Sequence, residues 1–156
     1  MPDETKKCHI NTIFISFDLE IEEDGWPPIS TEILQALPLG NGKAQIDNTP
    51  FFITSIALGD VVKVSKPDGM KYFRCDELIE EGGNYALSII LRDHQSQDEL
   101  ILLLSEKEYF YEYGEFGNTK MYAVSVNEEK AFNKIKVQLD KLEAREVISY
   151  AELCIA

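Results

Sequence analysis

The pattern of this chain predicts an α+β protein in two closely packed parts. Residues 1–83 read as an N-terminal antiparallel β subdomain, a small barrel-like sheet, and residues 84–156 as a C-terminal ferredoxin-like βαββαβ unit. Three observations carry this expectation. From Asn84 onward the periodicities run strand, helix, strand, strand, helix, strand, the order of a split βαβ. Before Gly83 there are only short period-two runs cut by Gly, Pro and Asn-Gly, the rhythm of a small all-β unit. No repeat, low-complexity tract or linker separates the halves.

Residues 12–22 alternate, with Ile13, Ile15, Phe17, Leu19 and Ile21 on one side. Period two over that length predicts a half-buried strand with Asp18, Glu20 and Glu22 on its solvated face. Asp24-Gly25 and Pro27-Pro28 end it. Leu39-Gly40-Asn41-Gly42-Lys43 carries Asn-Gly between apolar segments, a hairpin turn. Thr49-Pro50-Phe51-Phe52 opens an irregular connection, and Val61 to Val64 is a β-branched strand. Pro67-Asp68-Gly69 turns into a further strand from Met70 to Ile79.

In the second half, Tyr85 to Arg92 predicts a strand in which Leu87, Ile89 and Leu91 share a face. Ser96, with Glu99 three residues on, predicts a capping box for a helix over about 97–108. Strands over 109–115 and 119–126 flank Gly117-Asn118. Asn127 is the expected cap of a helix over about 128–143, whose Phe132, Ile135, Leu139 and Leu142 form one apolar stripe. Val147 to Ile155 closes the sheet.

The formal net charge of −13 is the strongest compositional signal. Residues 1–83 hold 15 acids and 7 bases, residues 84–156 hold 13 and 8, so both halves are acidic. Such a field repels nucleic acid and anionic membrane and favours a basic protein partner. The polar start MPDETKK and the lack of a long apolar run predict a cytoplasmic protein. Cys8, Cys75 and Cys154 are odd in number and widely spaced, which argues for reduced thiols rather than disulfides or zinc. No cofactor and no metal site is expected from the motifs present. Gly40-Asn41-Gly42 and Gly82-Gly83 do not join a strand to a helix, as a phosphate loop would.

Four blocks stand out in order: Asp24-Gly25-Trp26-Pro27-Pro28, Leu37 to Gly42, Asp47-Asn48-Thr49-Pro50-Phe51-Phe52, and Ala57-Leu58-Gly59-Asp60-Val61-Val62. Together they resemble an uncharacterised bacterial family, domain of unknown function 4265, and the similarity extends toward the C-terminus. The resemblance implies a small bacterial cytosolic protein and carries over no catalytic residue. Each block also has a structural reading, since Gly, Pro and clustered aromatics serve backbone geometry and packing.

Three groups of residues are candidates for function. Asp18, Glu20 and Glu22, with Glu23 and Asp24, could dock lysine and arginine side chains; a solvated strand face is the plain alternative. Tyr111 and Tyr113 lie on an aromatic hairpin and could anchor a protein interface, or pack in the core. Trp26, Phe51 and Phe52 could hold a small molecule between the two subdomains. Cys75 and His94, expected on or near adjacent strands, could in principle form a nucleophile pair but have no flanking signature, and Cys8-His9 is weaker still. The sequence therefore predicts a non-enzymatic acidic protein-binding module, of the type that inhibits a basic toxin as an immunity protein or antitoxin does. A small-molecule-sensing or regulatory domain is the alternative.

Overall fold

The computed structural model describes residues 11–156; the readings made for Cys8 and His9 lie outside them. The first half forms a closed five-stranded barrel. Its strands are β1 (Ile13–Asp18), β2 (Thr31–Gly40), β3 (Lys43–Ile46), β4 (Val61–Ser65) and β5 (Phe73–Glu80). Neighbours from β1 to β5 pair antiparallel, and the barrel closes through a short parallel contact, Ile15 and Ser16 of β1 against Phe73 and Arg74 of β5. Alternate residues turn inward, so Ile15, Leu34, Ala36, Ala44, Ile46, Val62 and Val64 fill the interior. Small alanines beside branched side chains suit the narrow lumen of a five-stranded barrel. Asn41 and Gly42, both at positive φ, make the β2–β3 turn as expected.

The second half is a four-stranded antiparallel sheet with two helices. Its strands are β6 (Tyr85–Leu91), β7 (Tyr109–Phe116), β8 (Thr119–Val126) and β9 (Ile148–Cys154), in the order β7-β8-β6-β9. Helix α1 (Gln97–Leu104) follows a single 3-10 turn at His94–Ser96, and α2 (Glu129–Ala144) precedes β9. Leu100 and Leu104 of α1 share one core with Phe132, Ile135, Leu139 and Leu142 of α2. That core rests on Leu87, Ile89, Tyr122 and Val124, so both helices cover the same face of the sheet.

The opposite face is also buried. Ala86, Ser88, Met121, Ala123 and Ser125 are all under 6% exposed. The cover is the connection from Asp47 to Asp60, which leaves the barrel and lies against the sheet. Ser88 Oγ donates to the Phe51 carbonyl at 2.7 Å, and Ser55 N donates to the Leu153 carbonyl at 3.0 Å. Near its end, the connection meets the chain again at Gly82. A Cβ there would stand 2.6 Å from the Gly59 carbonyl carbon and oxygen, so only glycine permits this backbone approach.

Some local expectations need correcting. β1 stops at Asp18 rather than running to Glu22, and Ile21 is exposed. The segment opposite the extension is Pro27-Pro28, which has no N–H to continue the ladder. The first helix ends at Leu104, earlier than expected. Ser96 makes no side-chain capping bond. Instead Asp93 accepts from Gln95 N and Ser96 Oγ, and Glu99 is drawn into an ion pair with Arg145. Asn127 likewise does not cap α2, whose N-cap residue is Glu128 without a side-chain bond. Among the described residues no helix is long and apolar enough to cross a membrane.

Candidate functional site

The barrel and the sheet enclose a groove of about 480 Å³. Its floor comes from the sheet face away from the helices: Ser88, Ile90, Met121, Ser149 and Leu153. One wall is Phe51, Phe52, Ile53 and Thr54 of the Asp47–Asp60 connection. The rim is the end of β1 with the β1–β2 connection, which supply Asp18, Leu19, Glu20, Glu22, Trp26 and Pro27.

The rim is a tied loop. Leu19 N donates to Ser30 O, Glu22 N to Trp26 O and Gly25 N to Glu22 O, all at 2.8–2.9 Å. Asp24 Oδ1 accepts from Trp26 N at 3.0 Å. Gly25, at φ +85°, allows the reversal. The Asp-Gly-Trp-Pro-Pro block thus turns the chain and aims Trp26 at the groove. The Trp26–Pro27 peptide is cis.

The aromatic wall is continuous. Trp26 packs edge-on against Phe52 with ring centroids 5.6 Å apart. Phe52 in turn meets Phe116 at 4.9 Å, and Phe116 meets Phe51 at 5.2 Å. Gly114 leaves room for the Phe51 ring; a Cβ there would stand 3.0 Å from its Cζ. Phe116 therefore joins the barrel's aromatics to the sheet, a role its place in the tyrosine-rich hairpin did not single out.

Three carboxylates that sequence reasoning missed hold the wall in place. Glu32 on β2 is buried and accepts from Phe51 N at 2.6 Å, Ile53 N at 2.8 Å and Phe52 N at 3.1 Å. Glu112 on β7 accepts from Thr49 N at 3.0 Å. Asp60, also buried, accepts from Gly82 N at 2.8 Å and Ala57 N at 2.9 Å. Burial pushes the Glu32 carboxyl above its ordinary value; the three N–H groups pull against this, and the Glu112 carboxylate adds to it. An acid at an inward position of a barrel strand was one available signal for Glu32, since an unpaired inward charge needs donors.

The candidates from sequence therefore divide between two surfaces. Asp18, Glu20 and Glu22 line the same groove as Trp26, Phe51 and Phe52, so the acidic set and the aromatic set meet in one site. Glu20 and Glu22 do so from a loop rather than a strand face. Tyr111 and Tyr113 lie on the helix side of the sheet, opposite Val124 and Tyr122. Tyr111 packs on the helical core, while Tyr113 is 42% exposed and donates to Glu115 Oε2 at 2.7 Å. Its hydroxyl is pushed up to about 12 by desolvation and the Glu115 carboxylate.

The structure does not bring Cys75 and His94 together. Cys75 packs against the barrel core on β5, and burial raises its thiol. His94 is exposed in the turn after β6, a strand of the other sheet, so it does not sit on a strand beside Cys75 as expected. Cys75 and Cys154 are both free thiols. Among the described residues no group of three or more His, Cys, Asp or Glu side chains is placed to hold a metal.

Comparison with known proteins bears on the fold and the family. No curated protein matches the chain. A hypothetical protein from Neisseria gonorrhoeae, known as a crystal structure, is similar over 93% of this chain and 94% of its own, with a TM-score of 0.73. At 23% identity that likeness carries the fold alone. The family model for a domain of unknown function, DUF4265, matches residues 32–150, and the chain belongs to that family.

Proposed function

We propose that this protein is a non-enzymatic binding module that captures a basic protein partner through the groove between barrel and sheet. The observation that carries this reading is the meeting of Asp18, Glu20 and Glu22 with Trp26, Phe51 and Phe52 around one cavity. Exposed carboxylates on the rim accelerate encounter with a cationic surface. The apolar wall and floor then supply area to bury once contact is made. A net charge of −13 adds long-range attraction of the same sign. A cytoplasmic immunity-type or antitoxin-type inhibitor, covering the basic active surface of a toxin, uses this combination.

The strand order β7-β8-β6-β9 supports reading the C-terminal unit as ferredoxin-like, a scaffold common to binding and regulatory proteins. A second reading is favoured by the cavity itself. Its volume of about 480 Å³ suits a small ligand, so a sensing or regulatory domain for an organic cation would use the same walls.

The test is kinetic. A basic partner recovered by affinity capture is measured against the wild type and against Asp18→Ser/Glu20→Ser/Glu22→Ser. Among the described residues these exposed side chains make no hydrogen bond that holds the rim, so the variant is expected to fold. The expected result is an association rate roughly ten-fold slower, with a flatter salt dependence. An unchanged association rate removes the acidic rim from the interface.

A further inference from the structure

The groove's chemistry selects one kind of anchor from a basic partner. We propose that its occupant is an arginine side chain of the partner protein, with its guanidinium at the rim carboxylates and its stem and flat face against Trp26 and Phe52. This rests on the partner-binding reading above and deepens it.

Three features of the groove carry the choice. First, among the described residues no Lys, Arg or His lines it, and Asp18, Glu20 and Glu22 enter no ion pair. The rim therefore offers acceptor oxygens in excess of donors. Second, the wall beneath these oxygens is aromatic, with Trp26 and Phe52 in edge contact at 5.6 Å. Third, the floor is largely apolar, built from Ile90, Met121 and Leu153.

An occupant must bring positive charge to the rim and apolar or flat surface to the wall. A lysine ammonium meets the first need but is strongly hydrated, and aromatic walls replace its water poorly. A guanidinium is weakly hydrated, stacks on aromatic rings and carries five N–H donors in one plane. That fork can serve more than one carboxylate at a time. Its methylene stem can lie along the Trp26–Phe52 wall.

Trp26 is the only tryptophan of the chain, so the groove carries its own fluorescent reporter. The full-length protein is titrated with capped glycine pentapeptides whose central residue is arginine, lysine or citrulline, and with spermidine. Trp26 emission reads the groove, and calorimetry reads binding anywhere on the molecule. The arginine peptide should change Trp26 emission saturably and bind at least five-fold tighter than the lysine peptide. The citrulline peptide, equal in shape but neutral, should give no response. The Asp18→Ser/Glu20→Ser/Glu22→Ser variant should weaken the arginine peptide at least ten-fold, with its thermal melt unchanged.

Equal binding of citrulline would overturn the proposal in favour of a simple apolar slot. Equal or tighter binding of spermidine, or of the lysine peptide, would overturn the arginine assignment; the spermidine outcome would favour a small-cation sensor. Arginine binding seen by calorimetry but silent at Trp26 and indifferent to the variant would sink the anchor while leaving the basic-partner reading intact. No heat and no emission change with any cationic probe would count against both.

Discussion

Glu32 shows how one side chain can organise the groove without lining it. Its carboxylate gathers the N–H groups of Phe51, Phe52 and Ile53, three successive residues that an irregular connection would otherwise leave without acceptors. Glu32→Ala removes all three bonds at a buried position and should cost ~3 kcal/mol of stability. Titration gives a finer test. The folded carboxyl is raised by burial and by the nearby Glu112 carboxylate, against the pull of the N–H groups. From the ordinary value of 4.5 up to that raised value, the folded chain holds a proton that the unfolded chain has lost. Stability from this group therefore falls as pH rises through that interval and is level above it. Glu32→Gln removes the titration while keeping one acceptor oxygen. In urea melts from about pH 4 to about pH 8, the stability of the wild type relative to Glu32→Gln should decline with rising pH and then flatten. A relative stability that climbs across the same interval would mean that the three N–H bonds outweigh burial.

At the scale of elements, the location of strands and helices was far more legible than the facing of strands. Clean alternation at Ile13, Ile15 and Phe17 located β1, and Asn41-Gly42 located the β2–β3 turn. The stripe Phe132, Ile135, Leu139, Leu142 located α2 and its inward side. Facing failed where both sides of a strand are covered. In β6, Ser88 is as buried as its apolar neighbours because Phe51 takes its hydroxyl. In β7, alternation separated Tyr109, Tyr111 and Tyr113 from Phe110 but could not say which side met the helices. The acidic run shows the complementary limit: its composition was plain, whereas the end of β1 at Asp18 depends on what lies across from it. Trp26, Phe51 and Phe52 were legible in sequence as a site between the two parts, whereas the floor of the groove was not, because it lies far along the chain, Ser149 more than a hundred positions from Trp26. β7 yields a prediction of its own. Tyr111 lies on the helical core with its ring centroid 5.9 Å from that of Tyr122. Tyr111→Ala should cost ~2 kcal/mol in thermal or urea melts while leaving the partner's dissociation rate from folded protein unchanged. Faster dissociation at full stability would move the partner's contact to the helix side.

At the scale of the whole molecule, the Asp47–Asp60 connection makes barrel and sheet mutually dependent. It buries the face bearing Ala86, Ser88, Met121 and Ala123, which would otherwise be an exposed apolar surface. Its fastenings come from both halves: Glu32 from the barrel, Glu112 and Ser88 from the sheet, and Asp60 reaching Gly82 at the junction. Loss of either half strands buried polar groups in the other, so unfolding should be one transition. Two local probes can check this. Trp26 emission follows the barrel side of the groove, and far-UV circular dichroism is dominated by α1 and α2 on the far side of the sheet. Their urea midpoints should coincide, with a single slope matching the surface exposed by the whole chain. Weakening the fastening should separate them. In Glu112→Ala, which frees Thr49 N from its acceptor on β7, the Trp26 transition should move to lower urea ahead of the helical signal. Two resolved midpoints already in the wild type would mean that barrel and sheet fold independently. The groove would then be a contact between two separate units rather than a preformed site.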